Sequence, residues 1–188
     1  MILIFLGPPG SGKGTQAKML AEKINLAHIS LGDILREEVR SGSEIGKRAK
    51  DIMEAGRLVP DELTIELTRK RIGEPDCKNG FIIDGFPRSM AQAVAFDRMV
   101  EVKNVRVIYF QIPEDQAVQR LLRRAELEGR ADDNEKAIRT RFEVYEKQTR
   151  PLIEHYSGMG KLIQIDAARS IEEVFAELTK ITAIAAVL

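Results

Sequence analysis

Short apolar runs alternate with stretches of helical periodicity along most of the chain. Apolar runs of four to eight residues bounded by Gly, Pro or Asp are typical of strands that are buried on both faces. Such runs occur at residues 2–6, 27–30, 81–84, 105–112 and 162–165. Strands that alternate with helices form a parallel sheet covered on both sides. The pattern therefore predicts a three-layer α/β/α fold with a five-stranded parallel sheet.

Helical stripes lie between these runs. One follows the glycine-rich stretch near the start, and another begins after Ser170, where Glu173 completes a capping box. Residues 134–149 contain no Gly or Pro and carry apolar residues at helical spacing, which predicts one helix that Pro151 ends or kinks. The apolar residues 181–188 extend the last stripe and are far fewer than a membrane span requires.

Two segments do not follow the alternation of strands and helices. Residues 30–59 contain two short helical patterns separated by Ser41, Gly42 and Ser43, with no strand between them, which predicts a small helical flap. Residues 123–133 are highly charged and include Gly129, which favours a short solvent-exposed lid. We expect a single domain over residues 1–188 with these two insertions.

Composition narrows the functional classes. The 188 residues carry 29 Lys and Arg against 29 Asp and Glu, so no overall field favours nucleic acid or membrane as a partner. The single cysteine, Cys77, excludes an internal disulfide, and the start lacks the basic and long apolar regions of a secretory signal. These features indicate a cytoplasmic protein, and the neutral charge balance is compatible with a monomer.

The glycine-rich stretch GPPGSGKGT follows the first predicted strand and opens a helix. Gly7, Gly12 and Lys13 fit the phosphate-loop pattern, in which backbone N–H groups and a lysine surround phosphate oxygens. Gly14 stands where a hydroxyl residue normally holds magnesium. An ordinary strand-to-helix turn is the alternative, but the spacing and context favour a nucleoside triphosphate site.

The stretch DGFPR ends the third predicted strand. Carboxyl ends of parallel strands meet at the ligand edge of a sheet, so Asp84 and Arg88 are expected to face the same crevice as Lys13. A turn-capping Asp and a surface Arg are the alternative, which the neighbouring phosphate loop disfavours.

Arginines are spread over the flap and lid. Guanidinium groups bind phosphate bidentately and stabilise charge on a transferred phosphoryl group, a role that suits Arg36, Arg120, Arg124, Arg130 and Arg141 as a set. For any one of these arginines taken alone, a solvated helix face is the favoured alternative. Arg139 is assigned to a solvated helix face, and His28 and His155 are assigned to packing.

Five stretches together resemble the adenylate kinase family, in its short-lid branch. They are GPPGSGKGTQA, SLGDILR, GRLVPDEL, NGFIIDGFPRSMAQA and GRADDNEKAIRTRFEVYEKQTRPLI. The resemblance implies a P-loop NTPase-type fold with a flap that binds the nucleoside monophosphate. It implies reversible transfer of the terminal phosphoryl group of Mg-ATP to AMP, giving two ADP. It also accounts for Gly14, because the family has glycine there and holds magnesium mainly through phosphates and waters.

The resemblance also implies the site residues. The catalytic group is Lys13, Arg88, Arg124, Arg130 and Arg141. The ATP-binding group is Gly10, Ser11, Gly12, Lys13, Gly14, Thr15, Arg120, Arg124 and Arg169. The AMP-binding group is Leu31, Arg36, Arg57, Leu58, Val59, Gly85, Phe86, Pro87, Arg88, Gln92, Arg130 and Arg141. Asp33 and Asp84 would orient magnesium-bound waters, and Asp132 and Asp133 would hold the closed lid.

The lid is too short for the metal-ligating cysteines of longer lids, so we expect Mg²⁺ with ATP and no structural zinc. Leu31 departs from the threonine usual in the family, whose hydroxyl helps to recognise the AMP base. Base recognition then depends more on Gln92. A UMP/CMP kinase with the same mechanism remains the alternative, and an inactive ATP-binding module or a P-loop kinase for a small metabolite are more distant ones.

Overall fold

The computed structural model describes residues 1–185, and the last part of the predicted apolar tail lies outside them. Its sheet has five strands, all paired in parallel, in the order β2-β3-β1-β4-β5. The strands are β1 Ile2–Leu6, β2 Ala27–Ser30, β3 Phe81–Asp84, β4 Val105–Gln111 and β5 Leu162–Asp166. The predicted fold class is confirmed, and the predicted strand ends differ from these by one residue at most.

Helices cover both faces of the sheet and form the insertions. They are α1 Lys13–Ile24, α2 Leu31–Ser41, α3 Glu44–Glu54, α4 Asp61–Ile72, α5 Met90–Met99, α6 Glu114–Glu128, α7 Glu135–Val144, α8 Pro151–Gly158 and α9 Ile171–Ala185. Short 3₁₀ turns lie at Pro75–Cys77, Val102–Asn104 and Ala131–Asp133, and a π-helical turn lies at Tyr145–Thr149.

The central strands divide their side chains between two cores. In β1, Ile4 and Leu6 belong to the core on one face, whereas Leu3 and Phe5 belong to the core on the other. Successive side chains of a strand point to opposite faces, so a strand buried on both sides must be apolar throughout. This is why β1 appears in the sequence as an uninterrupted apolar run.

The two helices predicted for the flap are present as α2 and α3. Ser30 caps α2 by accepting a hydrogen bond from the Asp33 N–H, and Ser43 caps α3 through the Gly46 N–H. The helices cross closely, because a Cβ at Gly46 would lie 2.0 Å from the Glu38 carbonyl oxygen. The turn at residues 41–43 therefore folds α3 back onto α2.

The helix predicted for residues 134–149 is present, and it ends just before Pro151 as expected. The helix begins with α7 and passes through the π-helical turn, and Pro151 then opens α8. Proline fits the first helical turn, where its missing N–H has no intrahelical partner. Pro151 therefore begins a separate helical segment, α8, which the sequence pattern did not predict.

The stretch 123–133 is more helical than its charge pattern suggested. Helix α6 continues to Glu128, and Gly129 ends it with a positive φ of 61°. The 3₁₀ turn Ala131–Asp133 then leads to Asn134, which caps α7 by accepting from the Ala137 N–H. At the other end of the chain, the Ser170 and Glu173 capping box of α9 is confirmed.

None of the helices within residues 1–185 is both long enough and apolar enough to cross a membrane.

Candidate active site

A cavity of about 850 Å³ opens at the carboxyl ends of the strands. Its walls come from the glycine-rich loop, the flap helices, the turn after β3, α6, α7 and the loop after β5. The parallel register brings these parts together, since Phe5 pairs with Asp84 and Leu6 pairs with Tyr109. Strand C-termini in open parallel sheets are the usual place for ligands.

The glycine-rich loop is held tightly against α6. A Cβ at Gly10, which has a φ of 81°, would lie 2.3 Å from the Ala117 carbonyl oxygen. Gly12 also has a positive φ, of 85°, and stands at the N-cap of α1 without a side-chain cap. The uncapped N-terminus of α1 therefore faces the cavity as an anion-binding end.

Lys13 lies inside the curve of this loop. Its ammonium group donates hydrogen bonds to the carbonyl oxygens of Gly7 and Pro8, both at 2.8 Å, and to Ser11 Oγ at 3.0 Å. Burial lowers the pKa of Lys13 to about 7, against the attraction of Asp84 and with help from the nearby Arg88. A phosphate group beside Lys13 would place a negative charge next to this ammonium and so favour its charged form.

Asp84 ends β3 and lies beside the loop. Its Oδ2 is 2.8 Å from His28 Nε2, and a Cβ at Gly14 would lie 3.8 Å from the same oxygen. His28 also lines the cavity, and its assignment to packing stays a prediction. The sequence places His28 in a predicted strand. Its contact with Asp84 can be inferred only when the strand order, with β2 next to β3, is known.

Arg124 on α6 and Arg141 on α7 converge on one carboxylate. Asp133 accepts from Arg124 Nε at 2.6 Å, from Arg124 Nη2 at 2.7 Å and from Arg141 Nη1 at 2.6 Å. Burial acts to raise the pKa of Asp133, but the hydrogen bonds and charge of Arg124, and then Arg141, hold it below its ordinary value. Asp133 thus fixes two arginines from different helices at the cavity wall.

Arg88 completes this cationic side of the cavity. Burial lowers its pKa to about 10, and the positive charge of Arg141 acts in the same direction. Burial likewise lowers the pKa of Arg141. Neighbouring cations disfavour one another's protonated forms. This side of the cavity therefore carries an excess of positive charge, which suits a multiply charged anion.

The flap contributes a mixed surface opposite these cations. Arg36 donates to Asp33 Oδ1 at 2.6 Å, and Leu31 is buried at the cavity wall. Residues 57–59, which follow α3, line the same region. This side can therefore accept both a phosphate and an apolar ring.

Gln92 is buried in the first turn of α5, and its side-chain amide nitrogen donates both of its hydrogens within the protein. Its Nε2 donates to Asp61 Oδ1 at 2.7 Å and to Thr64 Oγ1 at 3.1 Å, while its Oε1 accepts from the Arg88 N–H at 2.7 Å. Gln92 and Thr64 line the cavity. Sequence analysis missed Asp61 and Thr64, whose contacts depend on how α4 packs against α5.

The loop after β5 is tied to α6 by Arg120. Its guanidinium donates to the carbonyl oxygens of Ala167 at 2.8 Å, Ala168 at 3.1 Å and Arg169 at 3.4 Å. Arg120 and Arg169 both line the cavity near the glycine-rich loop. These bonds hold the planar guanidinium of Arg120 in place. It lies on the side of the cavity where the ATP base is expected from the resemblance described in the sequence.

Every residue predicted to act in catalysis, nucleotide binding or magnesium binding lines the cavity, except Phe86. Of the two predicted lid aspartates, Asp132 lines the cavity, and Asp133 contacts Arg124 and Arg141 behind the wall. The Phe86 ring belongs to the core, where it packs edge-on against Phe96 at 5.9 Å between ring centroids. Arg139 is exposed on α7, as expected for a surface position. The cavity therefore gathers residues that are spread from Gly10 to Arg169 along the chain.

A family model described as "Adenylate kinase" matches residues 5–161. The chain belongs to the adenylate kinase family. Its match covers the glycine-rich loop, the flap, the turn after β3 and the arginines of α6 and α7. Residues 1–4, strand β5, the loop after it and α9 lie beyond the match.

Individual members of the family are similar over nearly the whole chain. An adenylate kinase from Corynebacterium urealyticum is 46% identical over 177 residues, which cover 93% of this chain and 94% of that protein. One from Thermus thermophilus is 47% identical over 179 residues, covering 94% of each. One from Sinorhizobium medicae is 47% identical over 192 residues, covering 97% of this chain and all of that protein.

The oxygen donors in the cavity suit magnesium that is held through waters. Asp33 and Asp84 lie on its wall, on the flap and beside Gly14 respectively. Hard divalent cations prefer oxygen, and magnesium keeps several of its waters when phosphate oxygens also bind it. No group of three or more His, Cys, Asp or Glu side chains within the described part of the chain is arranged to hold a metal. The absence of structural zinc stays a prediction.

Proposed function

We propose that this protein catalyses the reversible transfer of the terminal phosphoryl group of Mg-ATP to AMP, which yields two ADP. One observation supports this above all: a single cavity joins the phosphate loop to a second, flap-lined half across a cluster of cations. Two nucleotides that meet with their phosphates at the cluster would suit this arrangement. The family relationship points to the same reaction.

The side chains act by position and charge. Lys13 and the N-terminus of α1 hold the outer phosphates of ATP, and Arg36 and Arg88 hold the phosphate of AMP. Arg124, Arg130 and Arg141 stabilise the negative charge that spreads over the transferred group. No protein nucleophile is required, because an oxygen of the AMP phosphate attacks the γ-phosphorus of ATP in line. The bond between the γ-phosphorus and the oxygen that joins it to the β-phosphate breaks as the new bond forms.

Asp33 and Asp84 are the residues proposed to orient the waters of bound magnesium. A magnesium ion held there would supply Lewis-acid stabilisation of the phosphate charge. Asp84 is the more enclosed of the two, with 14% of its side chain exposed against 63% for Asp33. Asp33 lies on the flap, so its contribution depends on where α2 is placed.

Base binding is divided between the two halves. The loop held by Arg120 is proposed to receive the adenine of ATP, together with the backbone at Arg169. Leu31, Gln92 and residues 57–59 are proposed to receive the base of AMP, with the backbone of residues 85–87 near its phosphate. We propose residues 123–133 as a lid that excludes water during transfer.

Partners beyond ATP, AMP and ADP are not part of this proposal. A cytoplasmic location and a monomeric state stay predictions from the sequence. Both concern the setting of the enzyme, and neither changes the chemistry at the cavity.

The test is transfer from Mg-ATP to AMP, CMP, UMP and GMP, and without an acceptor, in parallel. Formation of nucleoside diphosphates would be followed by anion-exchange chromatography. We expect ADP formation that depends on AMP, and little ATP hydrolysis when no acceptor is present. No acceptor-dependent transfer would overturn the proposal, and a preference for CMP or UMP would change the acceptor and leave the mechanism.

Two arginines on α7 offer a matched pair of variants. Arg141→Ala removes a guanidinium from the cavity and should lower kcat by roughly 10²- to 10³-fold, as for loss of one group that stabilises transition-state charge. Arg139→Ala removes an exposed guanidinium two residues away and should leave kcat within about twofold, since surface charges contribute little. Equal effects of the two substitutions would contradict the assigned role of Arg141.

A further inference from the structure

The segment proposed as a lid carries an acidic residue in an unfavourable place. Glu128 is the last residue of α6, and the last turn of this helix contains no basic residue. The C-terminal end of a helix has a partial negative charge, so an acidic side chain there lowers its stability. Glu128 nevertheless lines the cavity. Residues that break a local rule beside a functional site commonly serve that site, so the contacts of Glu128 are informative.

Glu128 forms an ion pair with Arg130 across the turn that ends α6. Arg130 Nε donates to Glu128 Oε2 at 2.6 Å. Gly129, which lies between them, has a φ of 61°, a left-handed conformation that glycine adopts without strain. The chain turns there, and Arg130 folds back onto the end of α6. Both side chains line the cavity, so the ion pair lies where Arg130 is proposed to meet phosphate.

This ion pair differs from the other contact between a carboxylate and arginines in the same segment. The Asp133 side chain is 0% exposed and accepts hydrogen bonds from both Arg124 and Arg141. The Glu128 side chain is 49% exposed and accepts one hydrogen bond from Arg130. A buried carboxylate with several charged donors is a fixed part of the structure, whereas a half-exposed pair with one contact is weak. The partner of Arg130 can therefore be exchanged.

Arg130 also acts on the opposite wall of the cavity. Burial acts to raise the pKa of Asp33 on the flap, but Arg36, the Ser30 hydroxyl and the charge of Arg130 hold it below its ordinary value. The Arg130 guanidinium thus lies between Glu128 and the flap. A phosphate that enters between them would meet Arg130 while it is still paired with Glu128.

We infer that Glu128 is a positioning residue that competes with phosphate for Arg130: it holds the guanidinium at the cavity wall without nucleotide, and phosphate oxygens displace it on binding. Carboxylate and phosphate oxygens are both planar-fork acceptors for a guanidinium, and phosphate carries more charge. The competition weakens nucleotide binding and speeds the release of ADP. This inference rests on the proposed function, which places the transferred phosphoryl group beside Arg130.

The test is the affinity for ADP, measured by isothermal titration calorimetry. ADP is the product in both halves of the cavity, so its phosphates approach Arg130. Glu128→Gln removes the competing charge and keeps the length of the side chain. We expect this variant to lower the dissociation constant of ADP by about two- to fivefold, which corresponds to the usual strength of a partly exposed ion pair.

Glu126→Gln is the matched control. It removes one negative charge from the same turn of α6, so it changes the net charge and the helix end in the same way. Glu126 is exposed and lies outside the cavity wall. Its substitution should leave the dissociation constant within about 1.5-fold, because exposed charges are screened by salt. An equal change in both variants would overturn the inference, since it would show an effect of overall charge alone.

A double-mutant cycle tests whether Glu128 acts through Arg130. Arg130→Ala removes the guanidinium for which the two groups compete. In that background, Glu128→Gln should change the dissociation constant of ADP by less than about 1.5-fold, because the pair no longer exists. A gain in affinity of the same size with and without Arg130 would contradict the proposed competition.

Steady-state kinetics supplies a readout that a purely structural role would not change. Glu128→Gln should lower KM for AMP and for Mg-ATP without raising kcat, because tighter binding of ADP does not speed its release. Its thermal unfolding temperature should match that of Glu126→Gln. An unchanged KM together with a lower unfolding temperature would assign Glu128 to stability only and would overturn the inference.

The direction of the effect is decisive. Tighter ADP binding that depends on Arg130 supports the competition. Weaker ADP binding in Glu128→Gln would overturn it, because Glu128 would then prepare Arg130 for phosphate. ADP binding is measured without turnover, so a wild-type protein that binds ADP and shows this pattern but transfers no phosphoryl group would overturn the proposed function alone. A wild-type protein that binds no ADP would overturn both.

Discussion

At the scale of single residues, Lys13 is notable because its charge is weakly supported in the absence of nucleotide. Burial is the main cause that lowers its pKa, and Arg88, Arg141 and Arg124 act in the same direction, against the attraction of Asp84. Its pKa of about 7 means that much of the population is neutral above that pH. A phosphate ligand reverses this balance, since an adjacent negative charge favours the protonated form.

We therefore expect nucleotide binding to take up a proton at Lys13. A group with a pKa near 7 is mostly neutral at pH 8, so binding of ADP there should draw in up to about one proton, and uptake should shrink as the pH falls below about 6.5. Isothermal titration calorimetry in buffers of different ionisation enthalpy measures this number.

Lys13→Met should abolish this proton uptake and weaken ADP binding. Lys23→Met, an exposed lysine at the end of the same helix, should preserve it. Proton uptake at pH 8 that is the same in all three proteins would show that Lys13 is already charged in the free enzyme.

At the scale of elements, the π-helical turn after α7 ties a helix to the turn after β3. The Arg150 N–H donates to the Tyr145 carbonyl oxygen at 2.9 Å, which is the i→i+5 bond of a π-helical turn. Thr149, the last residue of the turn, is buried and donates from Oγ1 to the Arg88 carbonyl oxygen at 2.8 Å. This bond positions the backbone of Arg88, which is proposed to be catalytic, from a separate helical segment.

Removal of that hydroxyl should affect catalysis as well as stability. Thr149→Val keeps the side-chain shape and loses the bond to Arg88, which should cost about 1 kcal/mol of unfolding free energy. Because Arg88 holds the AMP phosphate in the proposed mechanism, we also expect kcat/KM for AMP to fall by about five- to tenfold, a typical result of a small misplacement. Urea denaturation and steady-state kinetics give the two values.

Thr140→Val is the matched control for this prediction. The Thr140 hydroxyl donates to the Lys136 carbonyl oxygen within α7, so the same chemical change occurs on a helix surface. It should leave kcat/KM within about twofold. An unchanged kcat/KM in Thr149→Val would show that Arg88 does not depend on the π-helical turn.

At the scale of the whole molecule, folding concentrates positive charge in a chain whose net charge is zero. Lys13, Arg88 and Arg141 all have lowered pKa values because burial disfavours their charged forms and other cations add to the effect. They come from α1, the turn after β3 and α7, so only the assembled fold brings them together. A polyphosphate ligand relieves this repulsion in the native state alone.

Nucleotide binding should therefore stabilise the entire fold through its phosphates. At about 100 times the dissociation constant, ADP should add about 2.7 kcal/mol, which for a chain of this size corresponds to an increase in Tm of roughly 5–10 °C. Differential scanning fluorimetry with ADP and with adenosine separates the phosphates from the base. Equal increases with the two ligands would contradict the role assigned to the cationic cluster, and added salt should reduce the ADP effect.

The sequence by itself determined the strands, the phosphate loop and the flap helices. These features depend on local patterns: apolar runs that must be buried on both faces, glycines before Lys13 and capping residues such as Ser30 and Ser43. Its predicted site residues also lie together, with Phe86 apart, because a parallel sheet sends the loops after its strands to one edge.

Tertiary structure alone decided the partners of those residues. The pairing of His28 with Asp84, the hydrogen bonds of Gln92 to Asp61 and Thr64, and the sharing of Asp133 between two arginines all join side chains from different elements. Hydrogen bonding depends on distances of a few tenths of an ångström between separate elements. Sequence periodicity carries no such distances, so these contacts appear only once the helices have packed on the sheet.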